Sequence, residues 1–372
     1  MITTELNPEK LATLRLAMIP GIGPRTIAHL REHCHSAEGV FLASREKLAE
    51  VPRLSSKLVA AIAKAKQDPA VHEIVQWCHD HQVHLVTSDE GEYPQNLQSL
   101  PDAPAIVFYR GAILPSDSLA VAIVGARHAT SYGIKQAERF ARGLAAAGVT
   151  VVSGLARGID AAAHRGAIEG GGRTIAVLGG GLAHIYPPEH YQLAAEIAQH
   201  GALVTESSPA AEPRGSVFPQ RNRIISGMSL GVLVIEAAAR SGSLITARHA
   251  GEQGREIFAL PGPVTSRVSQ GCHQLIRDGA QLVTCVEELL EHLGPTVAPI
   301  ERGAEQTMRQ GAELLLNEQE LAVLNAIDPQ STSIDQVCRQ SQLPIHRVLA
   351  TISVLEKRHL IRRLSGQYVS RI

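Results

Sequence analysis

The sequence predicts an α/β fold: a Rossmann-like, doubly wound parallel sheet, preceded by a small helical domain and followed by a winged helix. Two observations carry the central prediction. From Leu119 onward, apolar runs of strand length alternate with helical stretches, the rhythm of a parallel sheet with crossover helices. One of these runs, Gly231 to Ala237 (GVLVIEA), is apolar on both faces, as a strand covered by helices on either side must be. A third observation, a different rhythm before residue 83 and after residue 293, predicts the flanking domains.

Residues 1–82 read as helices. Leu11 to Leu16 leads into Met18-Ile19-Pro20-Gly21-Ile22-Gly23-Pro24, and Arg25 to Arg31 continues as a helix. This is a helix-hairpin-helix (SAM-like) pattern: two glycines allow a tight turn and free amides that suit a phosphate. Val51 to Ala65 reads as a degenerate second copy without the glycines. Such a hairpin either touches DNA or serves as a packing and protein-interaction module.

Residues 83–293 form the sheet domain. Leu85 to Pro115, with four prolines, predicts a short pair of extended segments attached to the core. The expected strands are Leu119–Gly125, Val149–Ser153, Thr174–Leu178, Ala202–Thr205, Val232–Ile235, Glu256–Leu260 and Gln281–Thr284, with helices such as Ile134–Ala147, Asp160–Ile168, Glu189–His200 and Leu244–Gln253 between them. Residues 294–312 lack periodic apolar content and read as a linker. In 313–372, Asn317 caps a helix to Ile327, Ile334 to Gln340 is a second and His346 to Lys357 a third. Leu360–Leu364 and Gly366–Val369 then make two strands, completing a winged helix-turn-helix. Its late charges are Arg339, Arg347, Lys357, Arg358, Arg362, Arg363 and Arg371 against Glu356, which suits either DNA or a protein partner.

A net charge of −1 over 372 residues gives no global basic field, so any polyanion must be held by local clusters. The five cysteines (Cys34, Cys78, Cys272, Cys285, Cys338) are scattered without CxxC spacing, which argues against a disulfide framework and zinc. His79, His81 and His84 lack metal-ligand spacing, so no metal or other cofactor is expected. The first residues do not read as a signal peptide, and no apolar run reaches the roughly 18 residues of a membrane span. A cytoplasmic protein without membrane contact is expected.

In a doubly wound sheet, ligands bind beyond the carboxyl ends of the strands. The first strand ends in Gly125-Ala126-Arg127, with arginine where a dinucleotide fold wants bare backbone. The second ends in Ser153-Gly154-Leu155-Ala156-Arg157-Gly158, the third in three glycines, and Gly231–Ala237 in Arg240-Ser241-Gly242-Ser243. That last loop opens a helix whose amides suit an anion. Phe218, Arg221, Asn222 and Arg223 precede this strand and add a stacking face and two forked cations. The expected ligand bears phosphates and bases. Ser153, Asp160 and His164 do not make a GxSxG elbow. Glu236 could assist glycosidic cleavage or simply orient Arg221 or Arg223.

At these residues the chain resembles the DNA-processing protein A family, also called DprA or Smf. The motifs are IVGARHATSYG, VSGLARGIDAAAH, TIAVLGGGLAHIYPPEH, FPQRNRIISGMS and Ser-Gly-Ser-Leu-Ile-Thr-Ala, spread over residues 85–290. The resemblance implies a non-enzymatic protein that binds single-stranded DNA during natural transformation, protects it and helps load the RecA recombinase. A homodimer, working beside single-strand-binding protein, is implied with it. Arg127 becomes a phosphate ligand and Phe218 through Arg223 the strand-binding segment. Ala126 stands where the family more often has serine, and His359 where glycine is usual. Two rival readings stand: a Rossmann-like enzyme of the lysine-decarboxylase-like group that cleaves nucleoside monophosphates, and a duplex-reading regulator.

Overall fold

Asn7 opens the first helix by accepting the Lys10 amide, with Pro8 at the first helical position, where its missing N–H costs nothing. Helices α1 (Pro8–Ala17) and α2 (Pro24–Cys34) are joined by a turn in which Gly21 has φ of 89°. Ser36, Ser44 and Ser55 cap α3 (Ala37–Leu42), α4 (Arg45–Ala49) and α5 (Ser56–Ala65) through their side chains. Helix α6 (Ala70–Asp80) ends the helical segment. Leu16, Ile27, Leu30, Val40, Leu48, Val59 and Ile62 close these helices on one another, so both the hairpin and its degenerate copy form.

The computed structural model describes residues 7–52, 54–293, 318–327, 332–357, 360–363 and 368–371. The chain divides into two units, Met1–Val286 and Glu287–Ile372. In the first, the helical segment shares a core with the sheet through Leu14, Val71 and Cys78 against Phe108, Ala176 and Ile197. Lys10 meets Glu90 at 2.9 Å, and Arg31 pairs with Asp89.

The sheet elements follow in order: β1 (His84–Thr87), α7 (Gln95–Gln98), β2 (Ile106–Gly111), β3 (Ala120–Val124), α8 (Ser131–Ala146), β4 (Thr150–Ser153), α9 (Ile159–Glu169), β5 (Thr174–Val177), α10 (Tyr191–His200) and β6 (Gly201–Thr205). Next come α11 (Val217–Gly227), β7 (Gly231–Val234), α12 (Ser243–Glu252), β8 (Glu256–Ala259), α13 (Gln270–Arg277), β9 (Gln281–Leu282) and α14 (Val286–Leu293). Strand order is β1-β2-β6-β5-β4-β3-β7-β8-β9. The strands from β6 to β9 are parallel, and the expected extended pair β1-β2 adds antiparallel to β6. The chain winds outward from β3 to β6, then returns to β7 on the other flank of β3. The topological switch point therefore lies between the ends of β3 and β7, the place where such sheets bind ligands.

The second unit takes in α14 from Glu287 onward and contains α15 (Glu318–Asn325), β10 (Thr332–Ser333), α16 (Ile334–Ser341), α17 (Ile345–Lys357), β11 (Ile361–Arg363) and β12 (Tyr368–Arg371). Leu324, Val337, Val348, Ile352, Leu355 and Val369 form its core. The third strand, β10, pairs with β12 and was not expected: two residues carry no readable period. The predicted linker 294–312, the Asn317 cap, Arg358, His359 and the wing turn lie outside the described residues.

Candidate nucleic-acid interface

At the switch point the protein supplies its own anion. Thr130 caps α8, accepting the Gly133 amide at 3.1 Å. Glu236, two residues beyond β7 and buried, accepts the Thr130 amide at 2.9 Å and the Thr130 hydroxyl at 2.6 Å. Gly133 makes room for it, since a Cβ there would lie 2.5 Å from the carboxylate. The helix N-terminus that holds pyrophosphate in a dinucleotide fold is thus filled by a side chain. Glu236 serves the cap and orients neither Arg221 nor Arg223.

Several expected contacts lie inside the protein. The Ser153 hydroxyl, fully buried, donates to the Ile123 carbonyl at 2.6 Å. Arg221, 5% exposed, donates to the carbonyls of Gly154 (2.7 Å) and Val177. Arg223, 8% exposed, donates to the Asp102 carbonyl at 2.6 Å and pairs with Glu206. Ser243 is buried and shares a 2.7 Å hydroxyl contact with Ser241. The glycines are packed as well. Gly125 backs onto Ile159, and at Gly158 (φ 76°) a Cβ would collide with the carbonyls of Ala126 and Arg127. The physical reason is shared: α11 is a helix packed on the sheet, not an open loop, and its inward arginines answer buried acceptors, Arg221 the strand-end carbonyls of Gly154 and Val177 and Arg223 the Asp102 carbonyl and Glu206. Pro219 did not prevent that helix because it sits in the first turn.

No triad forms. Asp160 accepts the amides of Gly154 (3.1 Å) and Ala156 (3.3 Å), and the His164 Nδ1 meets the Thr174 hydroxyl at 2.7 Å. Burial pushes Asp160 up, against the Arg221 charge and those amides, and takes Arg221 down to about 10. The histidines near residue 80 also have separate partners: His81 stacks on Trp77 at 4.1 Å and His84 on Tyr109 at 4.8 Å. Among the described residues no group of three or more potential ligands is placed to hold a metal ion, and no helix is long and apolar enough to cross a membrane.

What remains open to solvent is a track along the outer face of α11. Phe218 and Asn222, four residues apart, share that face. Phe218 is half-buried, seated on Gly179, where a Cβ would lie 2.9 Å from the ring. The exposed Arg127 guanidinium stands 5.5 Å from the ring centroid, and the buried Arg221 is 5.9 Å from it, within cation–π range. Asn222 donates to the Gly242 carbonyl at 3.3 Å, bringing in the loop with exposed Arg240 and Gly242 and half-buried Ser241. At the other end Tyr186 meets Phe218 at 5.7 Å, and exposed Arg157 pairs with Glu189. Tyr186 was missed by the sequence reading, although its IYPPEH segment lay within a recognised motif; only the glycines before it drew notice.

The model of the family described as DNA recombination-mediator protein A matches residues 84–294, more than half of the chain. The chain belongs to this family. Models of a DprA winged helix domain and a SAM-like helix-hairpin-helix tandem match residues 309–367 and 13–68, so the flanks of this DprA family member are accounted for too. It is 41% identical over 294 residues to Protein Smf of Escherichia coli, covering 79% of each chain. The structure of DNA processing protein A from Streptococcus pneumoniae superposes with a TM-score of 0.66 at 33% identity, covering 77% of this chain and 98% of that one. A Helicobacter pylori DNA processing protein A, solved for its single-stranded DNA binding mode, gives a TM-score of 0.53 at 30% identity over 58% of this chain and 98% of its own.

Proposed function

We propose that this DprA family member binds single-stranded DNA without sequence preference and without chemistry. It holds the strand on the outer face of α11, protects it, and helps load RecA recombinase on it during natural transformation and recombination. The observation that carries this reading is the row formed by Arg157, Phe218 with Arg127, Asn222 and Arg240. Exposed cations beside an aromatic ring suit a strand whose phosphates meet the cations and whose bases stack on the ring, and the Helicobacter relative is described by single-stranded DNA binding. The working form is a cytoplasmic homodimer, because two linked sites raise the effective concentration on one strand, and single-strand-binding protein is the coat it works against. The nucleotide-cleaving alternative has little support: its anion position at α8 holds Glu236.

An anisotropy titration with a labelled oligonucleotide, as single strand and as blunt duplex, tests the reading. The single strand should bind tighter, and Phe218→Ala should weaken it by about 1–3 kcal/mol. Equal affinities, or an indifferent Phe218→Ala, would overturn it. RecA assembly on coated strand should be faster with the protein present, and the DNA should be recovered intact.

A further inference from the structure

The Phe218 ring has an aromatic neighbour. Tyr186, from the segment between β5 and α10, places its ring centroid 5.7 Å from that of Phe218 at an interplanar angle of 42°, within the spacing of interacting aromatic pairs. It is 41% exposed. Exposed Arg157 pairs with Glu189, three residues along the chain from Tyr186. A cation thus stands on the segment that carries Tyr186, and much of the Tyr186 side chain remains open to solvent.

Two rings tilted by 42° cannot sandwich a single planar base, because a base between them needs parallel faces. They can each take one base of a chain that bends across them. Neighbouring bases are linked by one phosphate, and a cation beside the pair is the group to meet it. Arg157 is held by Glu189 on the Tyr186 segment, and Arg127 stands over Phe218.

From this geometry we propose that Tyr186 is a second base-stacking subsite, which takes the nucleobase adjacent to the one on Phe218, with Arg157 facing the phosphate that joins them. This rests on the single-strand reading above and extends it by one nucleotide. Every base offers a π-face, so the subsite adds affinity without sequence preference.

The test is a titration of the full-length protein with a base-bearing strand and with the same strand made abasic over its central nucleotides. Tyr186→Ala should weaken binding of the base-bearing strand roughly 5- to 150-fold, the range of one stacked base. Tyr186→Phe, which keeps the ring, should stay within about twofold. On the abasic strand Tyr186→Ala should change little. Equal losses on both strands would show a structural role and overturn the proposal. So would an unchanged affinity for the base-bearing strand in Tyr186→Ala while Phe218→Ala still weakens it. If Phe218→Ala also has no effect, the single-strand reading itself fails, a result distinct from failure of the Tyr186 subsite alone.

Discussion

The Arg221 guanidinium lies face-on against Gly154: a Cβ built on that glycine would sit 2.7 Å from Cζ, Nη1 and Nη2 alike. The cation is held there by two strand-end carbonyls and by the charge of buried Asp160. Arg221 thus ties α11 to the ends of β4 and β5 and positions Phe218 from beneath. Arg221→Ala leaves the buried Gly154 and Val177 carbonyls without their donor, at about 1–3 kcal/mol for each unsatisfied group. Urea unfolding should show a loss of that size, and an unchanged midpoint would refute the staple. Gly154→Ala should also destabilise, by forcing the guanidinium off its seat.

Arg127 is exposed and has no such internal role. Arg127→Ala should leave stability within about 0.5 kcal/mol of wild type. It should flatten the dependence of log K on log salt by about one unit, the signature of one lost phosphate contact. A salt series on wild type and variant measures this, and parallel slopes would remove Arg127 from the strand's path.

Glu189 holds Arg157 by a solvent-exposed ion pair. A strand phosphate must compete with that carboxylate for the same cation. Glu189→Gln should therefore tighten single-strand binding, by up to about fivefold given the modest strength of exposed pairs. Weaker binding in this variant, with the fold intact by circular dichroism, would place the phosphate away from Arg157.

His164 is fully buried, and burial, with His190, Arg221 and Arg165 nearby, takes its pKa down to about 3. The folded state keeps it neutral while the unfolded chain protonates it near 6.5. Its contribution to stability is therefore complete above pH 6.5 and is lost as pH falls toward 3. This group alone should cost about 2 kcal/mol between pH 6.5 and 5. His164→Asn, which keeps a donor toward the Thr174 hydroxyl, should flatten that slope in denaturant titrations. An identical slope in the variant would assign the pH dependence elsewhere.

Much of this fold could be read in advance because parallel strands advertise themselves. The run GVLVIEA has no polar face to confuse its period, and the helices between strands repeat at regular length. The two-residue strand β10 has no period to read. The sequence marks where the candidate site's residues gather but not which of them face water. Gly125, Arg127 and Arg157 fall at the carboxyl edge, as residues that follow strands of a doubly wound sheet must, and Phe218 reaches it from α11 by packing on Gly179. Whether an arginine at that edge faces water or a carbonyl is decided by tertiary packing, so Arg127 and Arg221 looked alike as residues and differ in place. The same applies to the glycines, which read as cradles for phosphate and serve instead to admit Arg221 at Gly154 and backbone at Gly158.

The central claim is that a single strand runs along the outer face of α11, and photo-crosslinking tests it most directly. A DNA strand substituted with 5-iodo-2′-deoxyuridine, irradiated on the full-length protein and mapped by mass spectrometry, should give adducts at Phe218 and in the Tyr186 segment, and Phe218→Ala should abolish the first. Adducts confined to the helix-hairpin-helix or to the winged helix, with none on α11, would contradict the account.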